Sequence, residues 1–512
     1  MKALIPTLLF LAPVAFAQTP CDQLASQKLP GVSITFARAV EAGPFQQPDA
    51  APGRGPAAPV NLPAHCRVAL VLAPSSDSHI EMELWLPANW NGKFQAVGNG
   101  GFAGSITYAG GGGAVASSMA TALQQGYATA STDTGHKNTP GASPAAFAYQ
   151  HPEKFTDFAF RAVHEMTVTS KALIKTFYGK APTLSYWNSC SNGGRQGLME
   201  AQRFPADYDG IIAGSPVLNW TFRATQAVWV ARAEHESDTS FIPPAKYPAI
   251  HKAAVEKCDG LDGIKDGIID NPTKCKFDPV DLLCKGDDSA ACLTAPQVET
   301  ARKMYNAASN PKTGKEFYVG LEPGSELGWG TYGGPAPFIL ASDYFKNVVF
   351  SDPAWDYKKF DFNDDLDLAQ RFGQKTVDAI DPNLKDFFAR GGKLLQYHGW
   401  SDPQILPLNS VRYYTSVLDA LGGTSKVSDN YRLFMVPGMA HCGGGEGPNR
   451  FDGFGALTEW VENKKAPDAM VATRLTDGKA DRTRPICPYP QNAVYKGSGS
   501  TDDAANFACK LP

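Results

Sequence analysis

Two pairs of adjacent residues carry the chemistry of this chain: Cys190 and Ser191 in Asn188-Ser-Cys-Ser-Asn-Gly-Gly194, and His441 and Cys442 in Pro437-Gly-Met-Ala-His-Cys442. A serine hydroxyl is a weak nucleophile until a neighbouring base takes its proton. A disulfide holds its two α-carbons about 4.4–6.8 Å apart, so if Cys190 and Cys442 bond, Ser191 and His441 come within hydrogen-bonding reach. That is the nucleophile and base of a serine hydrolase, which also needs a carboxylate to orient the imidazole. Asp402, in Tyr397-His-Gly-Trp-Ser-Asp402, follows a strand-like run and completes the chain order Ser, Asp, His. His136 and His398 compete with His441 as base. His136 precedes the serine and breaks that order, whereas His398 ends a strand, where it lines the pocket without acting as base.

A strand, a tight turn of small residues and a helix place such a serine above a sheet, with the next N–H aimed at the substrate oxygen. Thr183-Leu-Ser-Tyr-Trp187 reads as the strand, Gly194 to Gln202 as the helix, and Asn192 as the source of the N–H. Ser189 replaces the first glycine of G-x-S-x-G. The glycine-rich turn Gly98-Asn-Gly-Gly101 follows an early strand, where a second oxyanion N–H is recruited. It lacks the Lys-Ser/Thr of a phosphate loop and the spacing of a dinucleotide fingerprint.

The loop Cys258-Asp-Gly-Leu-Asp-Gly-Ile-Lys-Asp-Gly-Ile-Ile-Asp270 crowds Asp259, Asp262 and Asp266 into a glycine-punctuated turn. Such repulsion calls for a hard cation among oxygen ligands, and calcium is the natural occupant. The carbonyls of Ile264 and Ile268 complete the shell. The spacing is not that of an EF-hand, and its distance along the chain from Ser191 makes the ion structural.

Strand-like runs at Val68–Leu72, His79–Leu86, Phe94–Val97, Tyr127–Thr132, Ile211–Ala213, Lys393–Tyr397 and Arg432–Val436 alternate with helical spacing, as over Phe155–Tyr178. That rhythm predicts an α/β fold with a mostly parallel sheet. Residues 219–378 break it with four cysteines, the acidic loop and many aromatics, and read as a lid inserted over the carboxyl edge of the sheet. Core segments 18–218 and 379–512 flank the lid. Residues 41–63, rich in Pro, Ala and Gly, read as an extended arm.

Met1-Lys2, the apolar run Leu4–Phe16 and Ala15-Phe-Ala17 form a signal peptide, 1–17, cleaved after Ala17. Export to the periplasm or the medium is expected, with no membrane span in the mature chain. Ten cysteines in an oxidising compartment predict five disulfides. Short loops favour Cys258/Cys275 and Cys284/Cys292, and Cys487/Cys509 would staple the tail. Cys21/Cys66 then remains beside the Cys190/Cys442 pair. A net charge of −4 offers no basic field for nucleic acid.

These residues resemble the tannase and feruloyl esterase family, which also contains mono(2-hydroxyethyl) terephthalate hydrolases. The resemblance runs through Trp90-Asn-Gly-Lys-Phe94 and the glycine-rich turn, Thr132-Asp-Thr-Gly-His136, Cys190-Ser-Asn-Gly-Gly-Arg195 and Arg203-Phe-Pro-Ala-Asp-Tyr-Asp-Gly210. It continues through the acidic loop, His398-Gly-Trp-Ser-Asp402, Pro437-Gly-Met-Ala-His-Cys442 and Arg484-Pro-Ile-Cys-Pro-Tyr-Pro490. It implies an α/β-hydrolase core with a lid, a Ser191–Asp402–His441 triad and oxyanion N–H groups from Gly101 and Asn192. It also implies a calcium held by Asp259, Asp262, Ile264, Asp266 and Ile268, and the five disulfides above.

Terephthalate-monoester hydrolases of the family grip the free carboxylate with a lid arginine. No arginine lies between Lys303 and Gln370 here, and Ile405 replaces the aromatic that follows their catalytic acid. A hydroxycinnamic or gallic ester, held by His398, Ile405, Phe338 and Phe345, is therefore the expected substrate, with a terephthalate monoester as the alternative. A non-catalytic, calcium-dependent polyphenol-binding protein is the alternative of another class, against which the intact Ser191, Asp402 and His441 argue.

Overall fold

Nine strands pair into the central sheet of the computed structural model, which describes residues 19–48, 59–110, 113–139 and 141–512. The leader-like segment 1–17 and part of the Pro/Ala/Gly arm fall outside the described residues. The strands are β1 (Val32–Val40), β2 (His65–Leu72), β3 (Ile80–Pro87), β4 (Phe94–Val97), β5 (Ala128–Thr132), β6 (Ser185–Cys190), β7 (Gly210–Gly214), β8 (Lys393–Gly399) and β9 (Tyr431–Val436). Their spatial order is β1-β2-β3-β5-β4-β6-β7-β8-β9. From β5 to β9 every neighbouring pair is parallel, whereas β1, β2, β3 and β5 pair antiparallel. Strands β5 to β8 are buried along nearly their whole length, as parallel strands covered on both faces must be.

Helix α1 (Ala162–Tyr178) buries Ala162, Val163, Met166, Leu173, Ile174 and Phe177 on one face and stops at Gly179, whose φ of 72° makes a left-handed cap. A five-residue π-turn, Asp157–Arg161, joins it to the helical turn Pro152–Thr156, so the helix expected from Phe155 contains a bulge. Helix α2 (Asn192–Arg203) follows β6 directly and lies against the sheet. It is glycine that permits this approach: a Cβ on Gly194 would meet the Gly214 carbonyl oxygen at 2.4 Å, and one on Gly197 would meet Trp187 at 2.6 Å.

The lid leaves the core after β7 and returns before β8. Its neck is closed where the Ala379 N–H donates to the Leu218 carbonyl (2.7 Å) and the Thr221 N–H donates to Asp378 (3.0 Å). Trp329, Tyr332, Tyr344 and Phe345, all fully buried, belong to an apolar core that the lid shares with Phe102, Phe155, Phe158 and Leu406 of the flanking segments. Lid helices α3 (Trp220–Glu234) and α4 (Tyr247–Cys258) pack on it. His251 of α4 joins lid to core, its Nδ1 meeting Glu326 at 2.8 Å and its Nε2 meeting Glu446, on the loop after His441, at 2.7 Å. Burial alone would lower its pKa, but the two carboxylates outweigh it and raise His251 to about 9.

All ten cysteines are paired, as Cys21–Cys66, Cys190–Cys442, Cys258–Cys275, Cys284–Cys292 and Cys487–Cys509. Among the described residues no helix is long and apolar enough to cross a membrane.

Candidate active site

Ser191 is the single residue between β6 and α2. Its φ of 65° and ψ of −126° are strained for a residue with a side chain, and they lift the hydroxyl out of the turn. The strain is held by the Ser191 N–H donating to the Gly214 carbonyl (2.9 Å) and by the tight fit of the turn behind it. Ser189, where a glycine stands in the G-x-S-x-G pattern, is accommodated because Gly193 lies opposite: a Cβ there would meet the Ser189 Oγ at 1.9 Å.

His441 Nε2 lies 2.9 Å from Ser191 Oγ, and His441 Nδ1 lies 2.7 Å from Asp402 Oδ2. The disulfide beside them sets the Cys190 and Cys442 α-carbons 5.9 Å apart. Asp402 is fully buried. Its Oδ1 accepts the N–H groups of Gln404 (2.8 Å) and Ile405 (2.9 Å). Burial would raise its pKa, but His441 and His398 prevail and hold the carboxyl well below the usual range. The acid is thus ionised wherever the histidine has to act as base.

The structure corrects two expected substrate contacts. His398 has no exposed surface; its Nε2 reaches the Ile405 carbonyl (2.8 Å) and Asp402 Oδ2 (3.2 Å), and its Nδ1 the Ser410 hydroxyl (2.7 Å). It stands behind the acid. Phe345 is also fully buried, packed among Tyr344, Phe350, Trp355 and Phe360 inside the lid, so its aromatic surface is core. Phe338 is partly exposed beside Tyr332, and Ile405, nearly buried, follows the acid on its loop.

Asn192 opens α2, so its backbone N–H has no acceptor within the helix. Gly101 sits at φ 54° in the turn after β4. Sequence reasoning missed what couples these two elements. Gln196 of α2 exchanges hydrogen bonds with Asn99, donating to its Oδ1 (3.0 Å) and accepting its N–H (3.4 Å). Arg195, fully buried, donates Nε to Asn192 Oδ1 (2.8 Å) and its terminal nitrogens to the carbonyls of Ala159, Val377 and Phe158. Burial lowers its pKa to about 9.

In the acidic loop, Asp262, Asp266 and Asp270 line one small cavity with Ile268 and Arg484. Asp270 was not among the expected ligands. Asp259 is turned onto the N–H groups of Asp266, Gly267 and Ile268, and Asp266 pairs with Arg484 and Arg482. Arg482 is shared with Asp502, so the carboxylates here outnumber the guanidinium groups. Burial, with the neighbouring Asp262 and Asp266, pushes the Asp270 carboxyl up to about 7. An all-oxygen donor set with an excess of carboxylates fits a hard cation.

The family described as tannase and feruloyl esterase matches residues 66–510. An uncharacterized esterase of Xanthomonas campestris is 38% identical, with 98% of this chain and 92% of that protein covered. A probable feruloyl esterase B of Aspergillus clavatus is 34% identical over 98% of both. The crystal structure of feruloyl esterase B from Aspergillus oryzae, 33% identical, superposes with a TM-score of 0.86 over 96% of this chain and 99% of that one. The tannin acyl hydrolase of Aspergillus niger, 22% identical with a TM-score of 0.76, shares the fold. A buried acid, an imidazole and a strained serine in one hydrogen-bonded line thus sit in a chain that belongs to the tannase and feruloyl esterase family and is a carboxylic ester hydrolase.

Proposed function

We propose that the enzyme releases an aromatic acid of hydroxycinnamic or gallic type from its ester through an acyl-enzyme on Ser191. The observation that carries this is the unbroken line from Ser191 Oγ through His441 to Asp402. Ser191 attacks the ester carbonyl while His441 Nε2 takes its proton. The Gly101 and Asn192 N–H groups receive the oxyanion. His441 returns the proton to the leaving alcohol, and a water, activated by the same imidazole, frees the acid. The names of the A. clavatus and A. oryzae relatives support a feruloyl-type acid. Five disulfides support a secreted or periplasmic location.

Labelling with a fluorophosphonate and assay on methyl ferulate and methyl gallate test the reading. One covalent label on Ser191 and turnover of at least one ester are expected. A folded protein that neither labels nor turns over would instead be the polyphenol-binding alternative.

For the acidic loop we propose a structural calcium, held by Asp259, Asp262 and Asp266 with the carbonyls of Ile264 and Ile268, and with Asp270 closing the cavity. An ion that binds only the folded chain stabilises it by mass action, by about 2.7 kcal/mol at a hundredfold excess over its Kd. Chelation is expected to lower Tm by several degrees, with initial turnover at 25 °C retained. Immediate loss of turnover at unchanged Tm would place the ion in the reaction instead.

A further inference from the structure

Asp207 lies in the run Arg203–Gly210, which neither the catalytic line nor the acidic loop uses. Its carboxylate meets His164 Nδ1 at 2.7 Å. Glu200 completes a cluster with them, in which the donor atoms of all three side chains lie within 4.8 Å of one another. Three elements supply them: His164 comes from the first turn of α1, Glu200 from the last turn of α2 and Asp207 from the turn before β7.

Glu200 is 1% exposed, and neither of its carboxylate oxygens has a hydrogen-bond donor among the described residues. Asp402, equally buried, is met by two N–H groups and two imidazoles. An ionised carboxylate left bare in the interior costs several kcal/mol. Burial, and then the charge of Asp207, push the Glu200 carboxyl well above the usual range, and Lys171 only partly offsets them. The Lys171 ammonium itself donates to the main-chain carbonyl of Asp207, not to either carboxylate. Two carboxyl groups this close need positive charge between them, either a shared proton or a cation.

The surroundings favour the cation. A converging imidazole is surplus to a shared proton, whereas it is a good ligand for a metal. Helix α2 ends here, and the partial negative charge of its last carbonyls attracts positive charge. The His164 ring is held by stacking on Phe204, with centres 3.8 Å apart, and its side chain is 29% exposed, which gives an ion a way in and a water a place to complete the shell. We propose that His164, Glu200 and Asp207 form a second metal site, separate from the acidic loop, for a borderline divalent cation of the zinc type. One ring nitrogen with carboxylate oxygens suits zinc, whereas calcium takes oxygens alone. The ion ties α1 and the far end of α2, the helix that starts beside the nucleophile, to the turn that feeds β7, so its role is structural.

The test uses the intact protein, stripped with a chelator and returned to excess Ca²⁺ so that the acidic loop does not compete. Calorimetric titration with ZnCl₂ at pH 7.5 is expected to show one zinc bound per chain and about one proton released, that of Glu200, read from the heats in two buffers of different ionisation enthalpy. Tm should rise by several degrees with zinc. His164→Gln, at a half-exposed position, should keep the zinc-free Tm and weaken zinc binding by at least about tenfold. Glu200→Gln should lose the zinc-dependent rise in Tm. The proposal is overturned if zinc leaves the wild-type Tm unchanged, or if both variants bind zinc as the wild type does. Glu200 and Asp207 would then share a proton, and Glu200→Gln, whose amide can stand in for the protonated acid, would match the wild-type Tm with and without zinc.

Discussion

Asp402→Asn is expected to lower kcat on an aromatic ester by about 10⁴, with little change in Tm. The amide oxygen can still accept the N–H groups of Gln404 and Ile405, so the loop keeps its shape. The amide nitrogen, however, would face His441 Nδ1 as a donor. The imidazole must then present a lone pair to it and carry its proton on Nε2, 2.9 Å from the Ser191 hydroxyl. A protonated Nε2 cannot take the serine's proton. Steady-state kinetics on the variant check this, and a loss below about tenfold would mean that another group orients His441.

Removing the Cys190–Cys442 bridge is expected to cost both turnover and stability. The bonded cysteines are 252 residues apart in sequence, and the chain-entropy relation gives such a closure about 5.5 kcal/mol, against about 2.5 kcal/mol for Cys284–Cys292, separated by 8. The bridge also fixes the neighbours on which the reaction depends, since Ser191 and His441 each adjoin one of its cysteines. In Cys190→Ala/Cys442→Ala, kcat should drop by at least about tenfold, because small misplacements of reacting groups are costly. Cys284→Ala/Cys292→Ala should leave kcat unchanged. Kinetics and thermal melts of the two double variants decide it; equal kcat in folded protein lacking the Cys190–Cys442 bridge would show that the surrounding loops suffice.

Much of this arrangement was legible in the sequence because it is local. The turn around Ser191 is written in consecutive small residues, and the parallel strands are short apolar runs between turn residues. Strand β1 escaped because Arg38 and Ser33 interrupt its apolar pattern, and its pairing with β2 depends on residues more than twenty positions away. His398 and Phe345 were misplaced for one reason: a histidine at a strand end and an aromatic in a lid look the same whether they face a ligand or a core. Only packing separates the two.

The lid leaves the sheet after β7 and rejoins it at β8, and these two strands are direct neighbours, paired from Gly210 opposite Lys393 to Gly214 opposite Tyr397. The sheet therefore closes over the excursion as if it were a turn, and the neck at Leu218 and Ala379 seals it. Where the lid touches the loop of the acid, Tyr332 and Arg223 both reach the carbonyl oxygen of Gln404, a group that every residue type supplies. Elsewhere the two parts meet side chain to side chain, with Trp220 against Phe102 and Phe158, and Tyr344 against Phe155. The insertion is thus joined to the sheet like a mortised beam, locked by aromatic faces on one side and resting on a main-chain oxygen beside the acid.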